Sequence, residues 1–362
     1  MRVEVADIFR LHGPEYRAKF RDRMPPSHLR AMEDIERCRT EALGGQLYFC
    51  DQCQEPHYSY HSCQNRHCPK CQNDQANEWL EKQKNLLLPV GYFMVTFTLP
   101  EELRSLARSH QQVVYNSLFR ASSEALLELA SDPRFVGGKI GAVGVLHTWT
   151  RDLFYHPHLH YIATGGGLAA DGRWLNSRNG FLVHVKPLSI LFRAKFRDLL
   201  KQTDLFQLVD PQVWRKDWVV HSQPVGSGEA AFKYLAPYIF RVAISNRRIL
   251  ALEDGQVTFS YKDSATDQTR FSTIPAEEFI RRFLQHVLPK GFVKVRYYGL
   301  LAASNRHLLD QARSLLQPAT AQSNSSTDDG QRIDRDQPPR CPKCGGALRF
   351  VERLRPGKRR PP

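Results

Sequence analysis

From Tyr155 to Gly165 the chain reads Y-H-P-H-L-H-Y-I-A-T-G, with histidine at every second position from 156 to 160. If Pro157 opens a strand, His158 and His160 leave one face of a sheet about 7 Å apart, with Leu159 on the other face. That is a metal-ligand spacing, and imidazole is the commonest protein ligand for a divalent ion. A third candidate, His147, lies in the apolar run Ile140 to Trp149, which also reads as a strand, joined to the first through Arg151 to Tyr155. The pair is then antiparallel. A register that sets His147 opposite His158 or His160 puts three imidazoles on one face, and a slip of one residue turns His147 away. A solvated sheet face explains any single histidine; the triplet points to a metal.

The cysteines carry a second metal signature. Cys50 and Cys53 form one C-x2-C knuckle and Cys68 and Cys71 another, fourteen residues on. Four thiolates close a tetrahedral structural Zn2+ site with no open position for chemistry. The surplus Cys38 and Cys63, with His57, His61 and His67 nearby, suggest a second zinc site; a small buried thiol or a loop histidine explains them as well. Between these ligands lie Tyr58, Tyr60, Asn65, Arg66 and Lys70, aromatic and basic groups suited to bases and phosphates. A last knuckle, Cys341 and Cys344, is half a site. Cys38 and Cys63 or another protomer could complete it, but we read it as a truncated ribbon.

The chain carries 51 Lys and Arg against 37 Asp and Glu, a net charge of +14, which suits a polyanionic partner. The N-terminus lacks an apolar signal core. The most apolar stretch, Leu86 to Pro100, is shorter than the ~18 residues a membrane span needs. We therefore expect an intracellular protein without a membrane segment, whose eight cysteines bind metal rather than form disulfides.

Periodicity predicts a strand over Gly91 to Leu99, one long helix from Leu103 to Leu129, and the two histidine strands. A short strand at Phe181 to Val185, a helix over Leu188 to Leu200 and a strand at Trp218 to Gln223 follow. Leu250 to Tyr261 reads as a hairpin about an Asp-Gly turn. Helices over Pro275 to Leu288 and Leu300 to Leu316 flank a strand at Phe292 to Tyr298. This is an α+β chain with an antiparallel sheet. We divide it into a zinc-binding, DNA-binding domain (1–85), a catalytic domain (86–250), a basic extension (251–317), a disordered linker (318–340) and a basic tail with one knuckle (341–362).

Ala230 to Arg241, A-A-F-K-Y-L-A-P-Y-I-F-R, reads as a helix on which Tyr234 and Tyr238 share a face. Pro237 between them kinks that helix or restarts it. The H-x-H with an apolar middle residue resembles the HUH endonucleases, and the paired tyrosines resemble their two-tyrosine branch. L-H-T-W, H-P-H-L-H, Y-L-A-P-Y followed by R-V-A-I-S-N-R, and the cysteine block together are similar to the rolling-circle insertion-sequence transposases of the insertion-sequence-ninety-one group, over roughly residues 15 to 310.

The resemblance implies an HUH-type fold in which His147, His158 and His160 hold a catalytic Mg2+ or Mn2+ and Tyr234 and Tyr238 are nucleophiles. It implies single-stranded element ends and target DNA as partners, contacted by residues such as Arg66, Lys70, Arg241, Arg247 and Arg248. No GxxxxGK[ST] loop occurs, so host helicase and replication proteins are expected to open the DNA in the cytoplasm, at the nucleoid. Rival readings are a plasmid relaxase or replication initiator, a non-enzymatic zinc-finger regulator, and a metal hydrolase that uses water.

Overall fold

The computed structural model describes residues 2–71, 83, 86–178, 180–227, 230, 242–263, 266–317 and 339–357. The expected tyrosine helix with Tyr234, Pro237 and Tyr238, Arg241, most of the charged segment after Cys71, and nearly all of the 318–340 linker lie outside the described residues.

Two helices open the chain, α1 (Val5–Phe20) and α2 (Pro26–Arg37). Glu4 and Asp7 form a capping box at the start of α1, and Pro26 begins α2 where a missing N–H costs nothing. The hairpin β1 (Gly45–Cys50) and β2 (Glu55–Tyr60) follows, then β3 (Gly91–Thr98). The long helix expected next is two, α3 (Arg104–Ser109) and α4 (Gln111–Ser131). They part at His110, whose φ of −128° and ψ of 49° are not helical, while the Ser109 hydroxyl takes the Ser105 and Leu106 carbonyls. Hydroxyl competition for backbone carbonyls is a local effect that the apolar stripe does not register.

Then come β4 (Gly141–Trp149), β5 (Tyr155–Thr164) and the small hairpin β6 (Gly166–Leu168) and β7 (Trp174–Asn176). The strand expected at Phe181 to Val185 is a loop: Leu182 and Val183 are apolar because they plug the core, and Val185 already starts α5 (Val185–Leu200). β8 (Val220–Ser227) precedes the tyrosine segment. The Asp-Gly hairpin forms as expected, β9 (Ile249–Glu253) and β10 (Gln256–Lys262), with φ of 48° at Asp254 and 73° at Gly255. An unforeseen β11 (Thr269–Pro275) widens it to three strands. The chain continues through α6 (Ala276–Leu284), β12 (Val295–Gly299), α7 (Arg306–Leu316) and β13 (Leu348–Leu354).

The fold is α+β, as expected, with an antiparallel sheet flanked by helices. Its five strands run in the order β12-β4-β5-β3-β8, so the histidine strand β5 is central. One face is apolar: Val95, Phe97, Leu146, Leu159 and Tyr161 pack on Tyr115, Leu118 and Phe119 of α4 and on Leu188, Phe192 and Phe196 of α5. Each such side chain contributes about 1.5–3 kcal/mol on burial, so this face anchors the fold. Gly144 is required here, since a Cβ on it would lie 2.5 Å from the Tyr161 ring, its cross-strand partner. On the other face Met94, Val143, Val145 and Ile162 are covered at one end by Leu300, Leu301 and Leu309, leaving the opposite end to the histidines.

A second core joins Phe9, Met32 and Ile35 of the first two helices to Phe259, Phe279 and Phe283, and it includes Cys38, Cys68 and Cys71. The N-terminal cysteine region therefore packs with β10 and α6 rather than on itself. β13 pairs antiparallel with β1, bringing the C-terminal end onto the N-terminal hairpin. Among the described residues no helix is long and apolar enough to cross a membrane.

Candidate metal centres

The β4–β5 register sets His147 directly opposite His158, and β3 sets Thr96 opposite His160 and Thr98 opposite His158. The three imidazoles share a face, with ring centroids 5.4 Å (147–158), 4.9 Å (147–160) and 4.7 Å (158–160) apart. One nitrogen from each lies within 4.8 Å of the others. The expected triplet is thus brought together.

Neighbouring groups orient the rings. His158 Nδ1 donates to the His156 carbonyl at 2.6 Å, which leaves Nε2 with its lone pair. His160 Nδ1 lies 3.0 Å from the Thr96 hydroxyl, and the His147 ring stacks on Trp149 at 4.8 Å. His147 and His160 are buried. Burial pushes the His158 pKa down to about 4, against an opposing bond to the His156 carbonyl, so the ring is neutral near pH 7 and free to ligate. Neither nearby alternative joins the cluster: Asp152 accepts from Thr150, and His156 Nδ1 accepts from Arg104 at 2.9 Å. Three nitrogens from two rigid strands make an open ligand set, with positions left for a substrate oxygen.

The cysteines group differently from the expectation. Cys50 and Cys53 do not meet Cys68 and Cys71. They sit at the turn end of the β1–β2 hairpin, whereas Cys38 and the Cys63 to Cys71 loop adjoin its open end. A six-residue strand, about 20 Å long, separates the two. Cys38, Cys63, Cys68 and Cys71 form one quartet, with Sγ–Sγ distances of 3.5 Å (38–71) and 3.6 Å (63–71). Four thiolates about 2.3 Å from a zinc ion would form a tetrahedron of roughly 3.8 Å edge, so the set fits that ion. Cys50 and Cys53 form the other quartet with Cys341 and Cys344, so the final knuckle is not a truncated ribbon.

His57 Nε2 lies 3.3 Å from Cys341 Sγ. His61 and His67 join neither quartet among the described residues. The partly buried His67 ring, its pKa lowered chiefly by desolvation, accepts the Leu288 N–H at 3.3 Å.

Most of the expected DNA-contacting cations that are described hold the protein itself together. Arg66 donates to the carbonyls of Phe292 (2.6 Å) and Pro289 (2.9 Å), docking the N-terminal region against the chain before β12. Lys70 pairs with Glu4 at 2.5 Å. Arg248 donates to the Ser260 carbonyl at 2.7 Å and to that of Arg151, and covers the Phe259 ring. Arg247 is exposed. Tyr58 and Tyr60 stack on each other at 5.9 Å, Tyr58 outward.

Sequence reasoning missed Thr96, although the alternation V-T-F-T was there to be read against the histidine strand. It also missed Lys294, half-buried 5.2 Å from Trp149, where desolvation lowers its pKa to about 7. No local pattern marks that lysine.

Comparison with known proteins adds independent findings. A family described as "Putative transposase" matches residues 141–307, the span that holds all three histidines. A "Transposase zinc-binding domain" family matches residues 8–99, the span of the first six cysteines. The chain is 42% identical over 335 residues to "Putative transposase y4qJ" of Sinorhizobium fredii, covering 86% of this chain and 84% of the relative. It is 30% identical over 286 residues to the transposase for insertion sequence element IS801 of Pseudomonas savastanoi pv. phaseolicola, covering 73% and 68%.

Proposed function

The chain belongs to the insertion-sequence transposases of the IS91 and IS801 type, with an N-terminal zinc-binding domain, and from that premise we propose that it is a single-strand DNA endonuclease and strand transferase working by rolling-circle transposition. The observation that supports this most is the three-imidazole face at the middle of the sheet, beside β3 and β8, with the segment carrying Tyr234 and Tyr238 following β8 in the chain.

His147, His158 and His160 would hold the catalytic ion, and an all-imidazole set favours Mn2+ over the harder Mg2+. When bound, such an ion polarises the scissile phosphate and offsets charge in the in-line transition state. The protein's own part is positional. The His156 carbonyl and the Thr96 hydroxyl fix the ring orientations, burial keeps His158 neutral, and Trp149 covers one side of His147.

The Oη of Tyr234 or Tyr238 then attacks phosphorus. The bond to the 3′ oxygen breaks, the phenolic proton leaves to solvent, and the departing oxygen is protonated to a 3′-hydroxyl. The 5′ phosphate stays esterified to tyrosine. A phenol with a pKa of about 10 is a poor nucleophile at neutral pH, which is why the site must offset charge on what it attacks. A later 3′-hydroxyl reverses the step and reseals the strand without ATP, and two tyrosines allow two such events per cycle. The partners are single-stranded element ends and target DNA, opened by host helicase and replication proteins.

The test is incubation with single-stranded element ends and Mn2+, followed by denaturing electrophoresis. A covalent protein–DNA band is expected from the native chain and none from the double variant Tyr234→Phe, Tyr238→Phe. Adduct from the double variant rules out the nucleophile assignment. Tight binding without adduct from the native chain favours the zinc-finger regulator instead.

A further inference from the structure

We propose that Cys50, Cys53, Cys341 and Cys344 form a second structural zinc site, built from the two ends of the chain, that latches the C-terminal strand onto the N-terminal hairpin. The zinc-binding family match ends at residue 99, so the last knuckle lies far outside it. Cys50 Sγ lies 3.6 Å from Cys344 Sγ, across 294 residues, and Cys53 Sγ lies 3.9 Å from Cys341 Sγ. These distances bracket the tetrahedral edge of roughly 3.8 Å expected around zinc, and all four sulfurs converge within 4.8 Å.

Both turns are built as knuckles. The Cys53 N–H points at Cys50 Sγ and the Gly346 N–H at Cys344 Sγ, each at 3.4 Å, so each turn aims a backbone donor at one of its own sulfurs. Gly345 has a φ of 77°, in the region glycine alone adopts freely, and a Cβ on Gly346 would meet Gln52 Oε1 at 2.5 Å. The second turn therefore lies directly against the first, with Gly346 beside Gln52.

What else holds this sheet is slight. Its core is Cys50, Cys341 and Leu348, with Tyr48 and Cys53 partly buried beside them. The ion pairs that cross the junction, Lys343–Glu55 at 2.6 Å and Arg349–Asp51 at 3.5 Å, are exposed and contribute little. A three-stranded sheet with so small an apolar core needs a staple, and four thiolates supply it. The latch turns the segment between α7 and β13 into a closed loop and fixes Arg349, Arg353 and Arg355 at the edge of the zinc-binding region.

The experiment uses the full chain and its double variant Cys341→Ser, Cys344→Ser. Zinc is counted after dialysis against a weak chelator, and each protein, given an inserted recognition sequence for a specific protease between residues 318 and 338, is cut there and run on a sizing column. The variant is expected to lose one zinc per chain and to release its C-terminal fragment, which stays bound in the native chain. Its retained zinc shows that it has folded. With cobalt in place of zinc, the thiolate-to-metal charge-transfer band should fall to about half, eight ligating thiolates becoming four. Unchanged zinc content, or equal release of the fragment from both proteins, overturns the proposal. Loss of the zinc together with conversion of a dimer to a monomer also overturns it, because the ligands then come from a second copy.

Discussion

The two faces of β5 are made by the same ten residues and do opposite work. Leu159 and Tyr161 point into the core against α4 and α5, where every methylene removed is felt. His158 and His160, their immediate neighbours, point the other way into a cluster oriented by hydrogen bonds and ring contacts. The ladder between β4, β5 and β3 supports both. A cluster of polar ligands can thus stand at one end of a face whose other end is packed by Met94, Val143, Val145 and Ile162, because the opposite face also holds the strand in place. The cysteine quartets lack such a platform, since their ligands come from loops and strand ends.

His160→Ala is expected to give the largest effect: single-strand cleavage should fall by at least about 10²–10³-fold, with affinity for DNA retained. The thermal midpoint should move by only a few degrees. A variant that unfolds instead would mean that the polar face also carries the fold. Leu159→Ala, one residue away, should do the reverse, costing about 2–5 kcal/mol by denaturant titration while each folded molecule still forms adduct. Cleavage lost beyond the unfolded fraction would show that the faces are coupled.

The smallest effect concerns a histidine that supports the fold rather than the site. His286 is buried beside Thr148, the residue after His147, with Nδ1 3.2 Å from its hydroxyl and Nε2 3.4 Å from the Leu153 carbonyl. Burial, opposed by bonds to the backbone and reinforced by the charge of Arg281, lowers its pKa from 6.5 to about 4. His67 faces it from the N-terminal region. The folded pKa lies below the unfolded one, so this contribution is complete above pH 6.5 and is lost as pH falls toward 4. It amounts to at most roughly 3 kcal/mol. Unfolding free energies measured from pH 8 to 4 should decline over that window, and less steeply in His286→Gln; an unaltered slope would remove His286 from the account.

The histidine face was legible in the sequence because its ligands lie on two adjacent strands joined by a short connection. Alternation assigns His158 and His160 to one face by itself, and only the register of one hairpin remained open, which the ladder closed by setting His147 against His158. The Asp-Gly hairpin was legible for the same reason, being local. The grouping of the cysteines was not. C-x2-C knuckles are chemically interchangeable, and nothing in Cys50 and Cys53 says whether their partners stand 15 or 294 residues away. That depended on the hairpin holding its two ends apart and on β13 returning to β1. Arg66 and Lys70 illustrate the same limit, since a basic side chain among aromatics suits a phosphate as well as a carbonyl or carboxylate of the protein until its neighbours are in place. Residue chemistry and short-range periodicity determined which atoms could bind a metal; long-range chain path decided which of them meet, because convergence of ligands is a property of packed elements and not of the residues themselves.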